Sequence, residues 1–150
     1  MSLLPSAVRH IDETTHITMQ NTSEYLLLFR GTHWQKGLSP QELEEAFGQF
    51  KSWFDDLQAR GIIKGSAPLE HEGRLISGPR GSSVVDGPFA ESKEAIGGYF
   101  LIAASDLDEA VTIAKDCPVL DRGCSVEVRP VAEVCPSQRH AQEGMALASA

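Results

Sequence analysis

Two short segments of this sequence are apolar on both faces when they are read as strands, and they constrain the fold more than any other feature. They are residues 24–30, Glu-Tyr-Leu-Leu-Leu-Phe-Arg, and residues 98–104, Gly-Tyr-Phe-Leu-Ile-Ala-Ala. Strands of this kind are typical of a sheet that is covered on both sides. The sequence therefore predicts a sheet that needs one layer above it and another below it.

A helix with strong end signals follows the first of these segments. Ser39 suits the N-cap, Pro40 suits the first turn, and Glu42 completes a capping box. Arg60 and Gly61 then provide a basic last turn and a C-cap glycine. The apolar stripe predicted between these ends, with Trp53 at its edge, consists of Leu43, Ala46, Phe47, Phe50, Phe54 and Leu57.

The remaining segments complete an order of strands and a second helix. The predicted strands are residues 24–30, 62–70, 73–77, 82–86, 98–104 and 124–131. The third and fourth of them face each other across a turn and predict a ribbon. A second helix is expected to begin at a capping box in residues 105–108 and to end near Cys117. Its buried face is expected to consist of Leu107, Ala110, Val111 and Ala114.

Without the ribbon, the order is strand, helix, strand, strand, helix, strand, which predicts a ferredoxin-like α+β fold with an antiparallel sheet. Short right-handed crossovers place both helices on one face of that sheet. The opposite face would expose apolar residues, which monomers seldom tolerate, so we predict a homodimer that packs sheet against sheet. The single domain is predicted over residues 23–133, between a polar extension (residues 1–22) and a polar, variable C-terminal tail (residues 134–150).

Composition excludes several classes of function. The chain has 150 residues and a net charge of -8, with no cluster of Lys and Arg, so direct binding to nucleic acid or to an anionic membrane is not expected. No apolar run approaches the roughly 20 residues of a membrane span, and the first residues do not resemble a secretory signal. The three cysteines are an odd number without metal-type spacing, which favours a reducing cytoplasm.

One stretch, residues 84–102, joins the ribbon to the second apolar strand and contains a sharp turn. Its turn is Asp86-Gly87-Pro88-Phe89. Gly87 has access to backbone angles closed to other residues, and Pro88 fixes its own φ, so the turn holds Asp86 in one place. An aspartate held in this way has two interpretations. Its side chain either serves only to form the turn, by accepting hydrogen bonds from the nearby backbone, or acts as a positioned acid or base.

Three motifs of the sequence are similar to those of a known family. They are residues 31–42 (Gly-Thr-His-Trp-Gln-Lys-Gly-Leu-Ser-Pro-Gln-Glu), residues 87–99, which continue the turn, and residues 126–131 (Val-Glu-Val-Arg-Pro-Val). Together they resemble the YCII-related family, in particular its branch named for the Asp-Gly-Pro-Phe motif, over about residues 24–133. The resemblance implies a dimeric α/β barrel built on the ferredoxin-like fold. It also implies a family largely of unknown function, whose founding branch is suspected of catalysis by a His–Asp pair and whose Asp-Gly-Pro-Phe branch has members encoded beside alternative sigma factors.

Asp86 and His33 are the candidate catalytic residues. His33 follows the first strand, where a ferredoxin-like sheet could present it at the edge of a cleft, and histidine titrates near neutral pH. The competing interpretation for His33 is that it is a solvated residue of a loop. For Arg129, the competing interpretation is that it forms an ion pair with Glu127. The candidate ligand-binding residues are Trp34, Phe89, Glu91, Tyr99 and Arg129. No metal site and no cofactor are predicted, because no histidine pair has helical spacing and no glycine-rich loop opens a helix.

These features predict a small cytoplasmic protein that binds a small organic molecule in a cleft near Asp86. If it is an enzyme, the expected chemistry is cofactor-free proton transfer of an isomerase- or lyase-like kind. The alternative is a binding or regulatory protein without catalysis that acts through protein contacts, with a sigma factor as one such partner. The acidic balance of the chain suits protein contacts better than contacts with DNA.

Overall fold

A computed structural model describes residues 21–88, 92 and 94–149 of the chain. In chain order its elements are β1 (Ser23–Arg30), α1 (Pro40–Ala59), β2 (Ile63–Pro68), β3 (Arg74–Ser77), β4 (Ser83–Asp86), β5 (Ile96–Ala104), α2 (Leu107–Lys115), β6 (Ser125–Pro130) and α3 (Pro136–Ala148). Short 3-10 helices follow β1 (Thr32–Gln35), connect β3 to β4 (Pro79–Gly81) and precede β6 (Pro118–Arg122). The predicted extension, residues 1–22, lies almost entirely outside the described residues.

The main sheet has four strands in the order β2-β5-β1-β6, and all its neighbouring strands are antiparallel. This is the order of a ferredoxin-like fold, so the predicted fold class is confirmed. The register places Leu27 opposite Phe100 on β5 and opposite Val128 on β6. Side chains of α1 and α2 pack against the same face of this sheet, in one hydrophobic cluster around Leu27.

The core between helices and sheet is aromatic at its centre. The Phe29 and Phe100 rings meet edge to face with centroids 4.7 Å apart, and Trp53 stacks on Phe100 at 5.5 Å. The prediction that Trp53 lies at the edge of the α1 stripe was therefore wrong. The residues of α1 that join the core cluster or pack against it include Phe50, Trp53 and Leu57, whereas Phe47 stays half exposed. The stripe is rotated relative to the prediction because the large indole ring fills the space beneath the sheet.

Helix α2 differs from its prediction in two details. Its N-cap is Asp106, one residue later than predicted, and its side chain accepts a hydrogen bond from the backbone N–H of Glu109. The Glu109 carboxylate accepts from Ser105 instead of closing a capping box onto Asp106. Hydrogen bonds from the hydroxyl and the backbone N–H of Ser105 lower the pKa of the Glu109 carboxyl. Leu107 falls on the predicted face but stands in the first turn and remains exposed, while Ile113 is buried.

The capping box of α1 is present as predicted. The Ser39 hydroxyl accepts from the N–H of Glu42 at 3.2 Å, and the Glu42 carboxylate accepts from the N–H of Ser39 at 2.7 Å. The predicted C-terminal tail is not simply variable, since it contains the helix α3. Pro136 in its first turn and a run of good helix formers explain this helix, which buries none of its residues. Within the described part of the chain, no helix is long and apolar enough to cross a membrane.

Strands β3 and β4 form a separate two-stranded sheet, here called the ribbon (residues 74–86). Its register pairs Arg74 with Asp86, Leu75 with Val85 and Ile76 with Val84. Successive residues of a strand point to opposite faces, so both faces of the ribbon carry apolar side chains. All four of these aliphatic residues are at least half exposed.

Candidate functional site

A cavity of about 470 Å³ lies between α1 and the end of the sheet where β2 finishes and β5 begins. We call it the aromatic cavity. The aromatic residues that line it are Phe29, Trp34, Phe47, Phe50, Phe54, Tyr99 and Phe100. Trp34 and Tyr99, two of the predicted ligand-binding residues, are thus brought together here.

Local structure explains how the walls are held. The 3-10 helix after β1 places Trp34 against Phe47 of α1, edge to face with ring centroids 5.6 Å apart. Phe50 meets Phe29 in the same manner at 5.6 Å. Such pairs are favourable beyond their buried area, so the rings of one wall hold those of the next in fixed orientations.

Two adjacent glycines open the sheet side of the cavity. A side-chain Cβ at Gly98 would lie 3.0 Å from the carbonyl oxygen of Ala67, and one at Gly97 would lie 3.3 Å from a methyl group of Thr32. Glycine is therefore required at Gly98 for the close approach of β5 to β2. The sequence singled out this pair only as the opening of a strand, and its role as part of the cavity depends on pairing between distant segments.

The polar residues that line the cavity include Gln35, Ser66 and His71. His71 and Leu69 also line a second depression of about 390 Å³, whose other lining residues include Gly87 and Pro88 of the turn. The two depressions therefore adjoin, and together they connect the aromatic cavity to the Asp-Gly-Pro turn. His71, Gln35 and Leu69 were not among the candidate residues predicted from the sequence. The signal that could have drawn attention to His71 is its position between β2 and the ribbon.

Asp86 ends β4 at the base of the ribbon, beside this second depression but not among the residues that line it. Its carboxylate pairs with Arg74 across the ribbon, with 3.1 Å between Asp86 Oδ1 and Arg74 Nη1. The side chain is 74% exposed. The described residues do not form a closed, apolar cleft around Asp86. The apolar cavity lies instead beneath α1, because the ribbon projects Asp86 away from the core.

His33 lies in the 3-10 helix between β1 and α1, next to Trp34. Its Nε2 atom is buried and has no hydrogen-bond partner among the described residues. The described contacts include none between His33 and Asp86. The structure thus keeps the two predicted catalytic residues on separate elements, one beside the wall of the aromatic cavity and the other at the ribbon.

Arg129 lies on the sheet face that is turned away from the helices. It is 3.9 Å from Glu127, the ion pair that strand alternation indicated, and Glu127 accepts a shorter hydrogen bond, 2.8 Å, from Nε of Arg30. Arg129 is absent from the linings of both depressions. Phe89 and Glu91, the other predicted ligand-binding residues, lie outside the described residues.

The buried cysteines are unsuited to nucleophilic chemistry. Burial raises the pKa of the Cys117 thiol to about 11 and also raises that of Cys124, whose thiol donates to the carbonyl oxygen of Arg30 at 3.1 Å. A thiol needs a lowered pKa to react as a thiolate near neutral pH. Within residues 21–88, 92 and 94–149, no group of three or more His, Cys, Asp and Glu residues could hold a metal ion.

Comparison with known proteins finds similarities in sequence and in structure. An uncharacterised protein of Rhizobium meliloti (strain 1021) is 45% identical over 56 residues, which cover 37% of this chain and 45% of that protein. The aligned part of the chain thus spans less than half the length of that relative. Among solved structures, 5-chloro-2-hydroxyhydroquinone dehydrochlorinase from Burkholderia phenoliruptrix AC1100, in complex with 2,5-dihydroxybenzoquinone, covers 74% of this chain and 95% of its own, at 13% identity and a TM-score of 0.40.

The profile of the YCII-related domain matches residues 34–134, which is about two thirds of the chain. The matched region contains the aromatic wall from Trp34 onward, the ribbon, the Asp-Gly-Pro turn and β6. Membership of the branch named for the Asp-Gly-Pro-Phe motif stays a prediction. The chain belongs to the YCII-related family.

Proposed function

We propose that this protein binds a small organic molecule in the aromatic cavity, with the Asp-Gly-Pro turn near its mouth. The observation that carries the proposal is the cavity itself. Its volume of about 470 Å³ falls within the range of roughly 300–1,000 Å³ found for small-molecule sites. Such sites are lined mainly by apolar and aromatic residues with a few polar groups, which is the composition of this one.

Cofactor-free proton transfer is the chemistry that we propose for this site. An isomerase- or lyase-like step needs one group to take a proton from carbon and a group to return or deliver one, without any change of oxidation state in the protein. Asp86 and His33 are the proposed acid–base groups. Support comes from the adjoining depression, which Gly87 and Pro88 line, and from the buried, unpartnered Nε2 of His33 beside Trp34. Phe89 and Glu91 follow the turn in sequence and are proposed to contact the ligand.

A homodimer that packs sheet against sheet is the assembly that we propose. Leu26, Leu28 and Leu101 of the outer sheet face are only half buried in the single chain. The ribbon adds four exposed aliphatic residues, and large apolar patches of this kind mark interaction sites. Arg129 lies on the same outer face, so a second copy would cover it. The free thiols of the described chain support the reducing cytoplasm as its compartment.

The alternative is a regulatory protein without catalysis that acts through protein contacts, and the ribbon favours it. Asp86 pairs with Arg74, as expected if the aspartate only ties the ribbon to its turn. The exposed aliphatic residues on both faces of the ribbon would then bind another protein, such as a sigma factor.

The test is a thermal-shift screen of lactones, phenols and small carboxylic acids on the wild type and three variants. Phe50→Ala enlarges the aromatic cavity, Asp86→Asn removes the proposed acid, and Met145→Ala is a control on the exposed helix α3. We expect a ligand that raises the melting temperature of the wild type and the control but not of Phe50→Ala. Loss of the shift in Asp86→Asn would extend the site to the turn. A screen in which no compound shifts the wild type would contradict small-molecule binding and favour the regulatory alternative.

A further inference from the structure

We propose that the aromatic cavity selects an uncharged, flat ring that carries one hydrogen-bonding group, and that it rejects carboxylates and ammonium compounds of the same size. This inference rests on the proposed function, because it names the ligand class of the same site. It is carried by the shape of the walls, by the charges around them and by the polar groups at the mouth.

The shape of the cavity favours a planar ligand. Phe47, Phe50 and Phe54 approach from α1, while Phe29 and Phe100 approach from the sheet. Below them, the lining residues Ala67 and Gly98 have at most a methyl group as side chain, so this part of the sheet side is flat. A planar ring can lie between two such surfaces and contact both, since aromatic pairs prefer offset or edge-to-face arrangements.

The charges around the cavity disfavour an anion. Among the described residues that line it, none is Lys, Arg, Asp or Glu. Among the described residues, those that line the adjoining depression include Glu70, Glu72 and Glu94 together with Arg74, and the whole chain has a net charge of -8. A carboxylate would therefore approach through a field of its own sign and then lose its water without a Lys or Arg partner among the described lining residues.

A cation would be attracted towards the cavity but would not be stabilised inside it. The acidic depression would attract it, yet no described carboxylate lines the aromatic cavity to replace its water. Ring faces attract cations, but several of these rings already meet one another edge to face. Phe29 meets Phe50, Trp53 and Phe100 in this manner, and Trp34 meets Phe47.

The polar anchor of the ligand is assigned to the mouth. Gln35 is exposed there and offers an amide that both donates and accepts. Its side chain makes no hydrogen bond to another described residue, and the same is true of Ser66 and His71. A hydroxyl or carbonyl on one edge of the ring would therefore meet an available partner while the rest of the ring stays apolar.

The test compares three one-ring probes of similar size near neutral pH: 4-methylphenol, 4-methylbenzoate and 4-methylbenzylammonium. Calorimetric titration gives their dissociation constants for the wild-type protein. We expect 4-methylphenol to bind at least about tenfold more tightly than either charged probe, a difference that corresponds to about 1.4 kcal/mol. Gln35→Leu should weaken 4-methylphenol several-fold and leave toluene unchanged. Gln142→Leu, the same substitution on the exposed face of α3, is the matched control.

The outcomes separate the inference from the proposed function. Equal or tighter binding of the benzoate or the benzylammonium would overturn the selectivity and leave small-molecule binding in place. Failure of all three probes to bind would overturn both. Unchanged binding of 4-methylphenol to Gln35→Leu, with the control also unchanged, would contradict the assigned anchor.

Discussion

The main sheet and the ribbon are built from the same kinds of residue, yet their side chains have opposite environments. Leu27 and Ile102 in the main sheet are fully buried at 0% exposure, whereas Ile76 and Val84 in the ribbon are 66% and 59% exposed. The difference lies in what covers them, since α1 and α2 pack on the main sheet and the ribbon forms a sheet of its own. An apolar strand pattern therefore predicts a strand, but burial requires a second layer.

The same contrast divides the candidate site. The aromatic cavity belongs to the body formed by sheet and helices, where interlocked rings fix its walls. Asp86 belongs to the ribbon, which its own hydrogen bonds and one exposed ion pair hold together. We therefore expect substitutions in the body to change stability and substitutions in the ribbon to change association or chemistry.

The largest expected difference is between Leu27→Ala and Ile76→Ala. Leu27 is fully buried, so its truncation should lower the free energy of unfolding by about 2–5 kcal/mol. In the single chain, Ile76→Ala should change it by only about 0.5 kcal/mol or less, as for other surface positions. Denaturant unfolding at two protein concentrations measures both values.

The concentration dependence decides whether the ribbon is covered. If a second copy packs on it, Ile76→Ala will cost more at protein concentrations above the dimerisation constant, and the loss will shrink as the protein is diluted below that constant. A small loss that does not depend on concentration would leave the ribbon exposed in solution. A loss below about 1 kcal/mol for Leu27→Ala would contradict the core as described.

Two glycines with the same steric constraint provide the next comparison. A Cβ at Gly98 would lie 3.0 Å from the Ala67 carbonyl oxygen, and one at Gly73 would lie 3.0 Å from that of Gly87. Gly98→Ala should cost about 1–3 kcal/mol, because β5 is held between β1 and β2 and cannot move away. Gly73→Ala should cost clearly less, because the base of the ribbon can shift. Equal losses in denaturant unfolding would show that the ribbon is as constrained as the body.

Local signals in the sequence predicted most of the fold. The capping box at Ser39 and the order of strands and helices depend on neighbouring residues, and both are found in the structure. The N-cap of α2 was placed one residue early because Ser105 and Asp106 are both good N-caps. Sequence preference alone does not distinguish two such adjacent registers.

The site was harder to predict, because its walls come from segments far apart in the chain. Trp34 was predicted as a ligand-binding residue, but nothing local indicated that it meets Phe47. Phe47 and Trp53 exchanged their predicted environments, since the rotation of α1 depends on the rings beneath it. His71 lines both depressions from the segment between β2 and the ribbon, and the residues it meets there come from distant parts of the chain.

Alkaline pH should destabilise the body through Cys117. Burial raises the pKa of its thiol from 9.0 to about 11, so the folded chain binds this proton more tightly than the unfolded chain. The stabilisation is complete below the unfolded value and is lost as the pH rises from about 9 towards 11. Cys117→Ala should flatten this part of the unfolding profile relative to the wild type. An identical slope in both proteins would assign the loss to other groups; the ribbon itself contains no cysteine.

The smallest expected effect on stability is at Asp86, and this makes it the most informative position for function. Its ion pair with Arg74 is exposed on both sides, so Asp86→Asn should change the free energy of unfolding by about 0.5 kcal/mol or less. Glu127→Gln is the comparable substitution in the body, because it breaks a less exposed ion pair with Arg30. It should lower the free energy of unfolding by up to about 1 kcal/mol. A larger loss in Asp86→Asn than in Glu127→Gln would mean that the aspartate holds the turn. A stable Asp86→Asn protein that still binds a cavity ligand but no longer exchanges its carbon-bound protons with solvent would place the chemistry at the ribbon and the binding in the body.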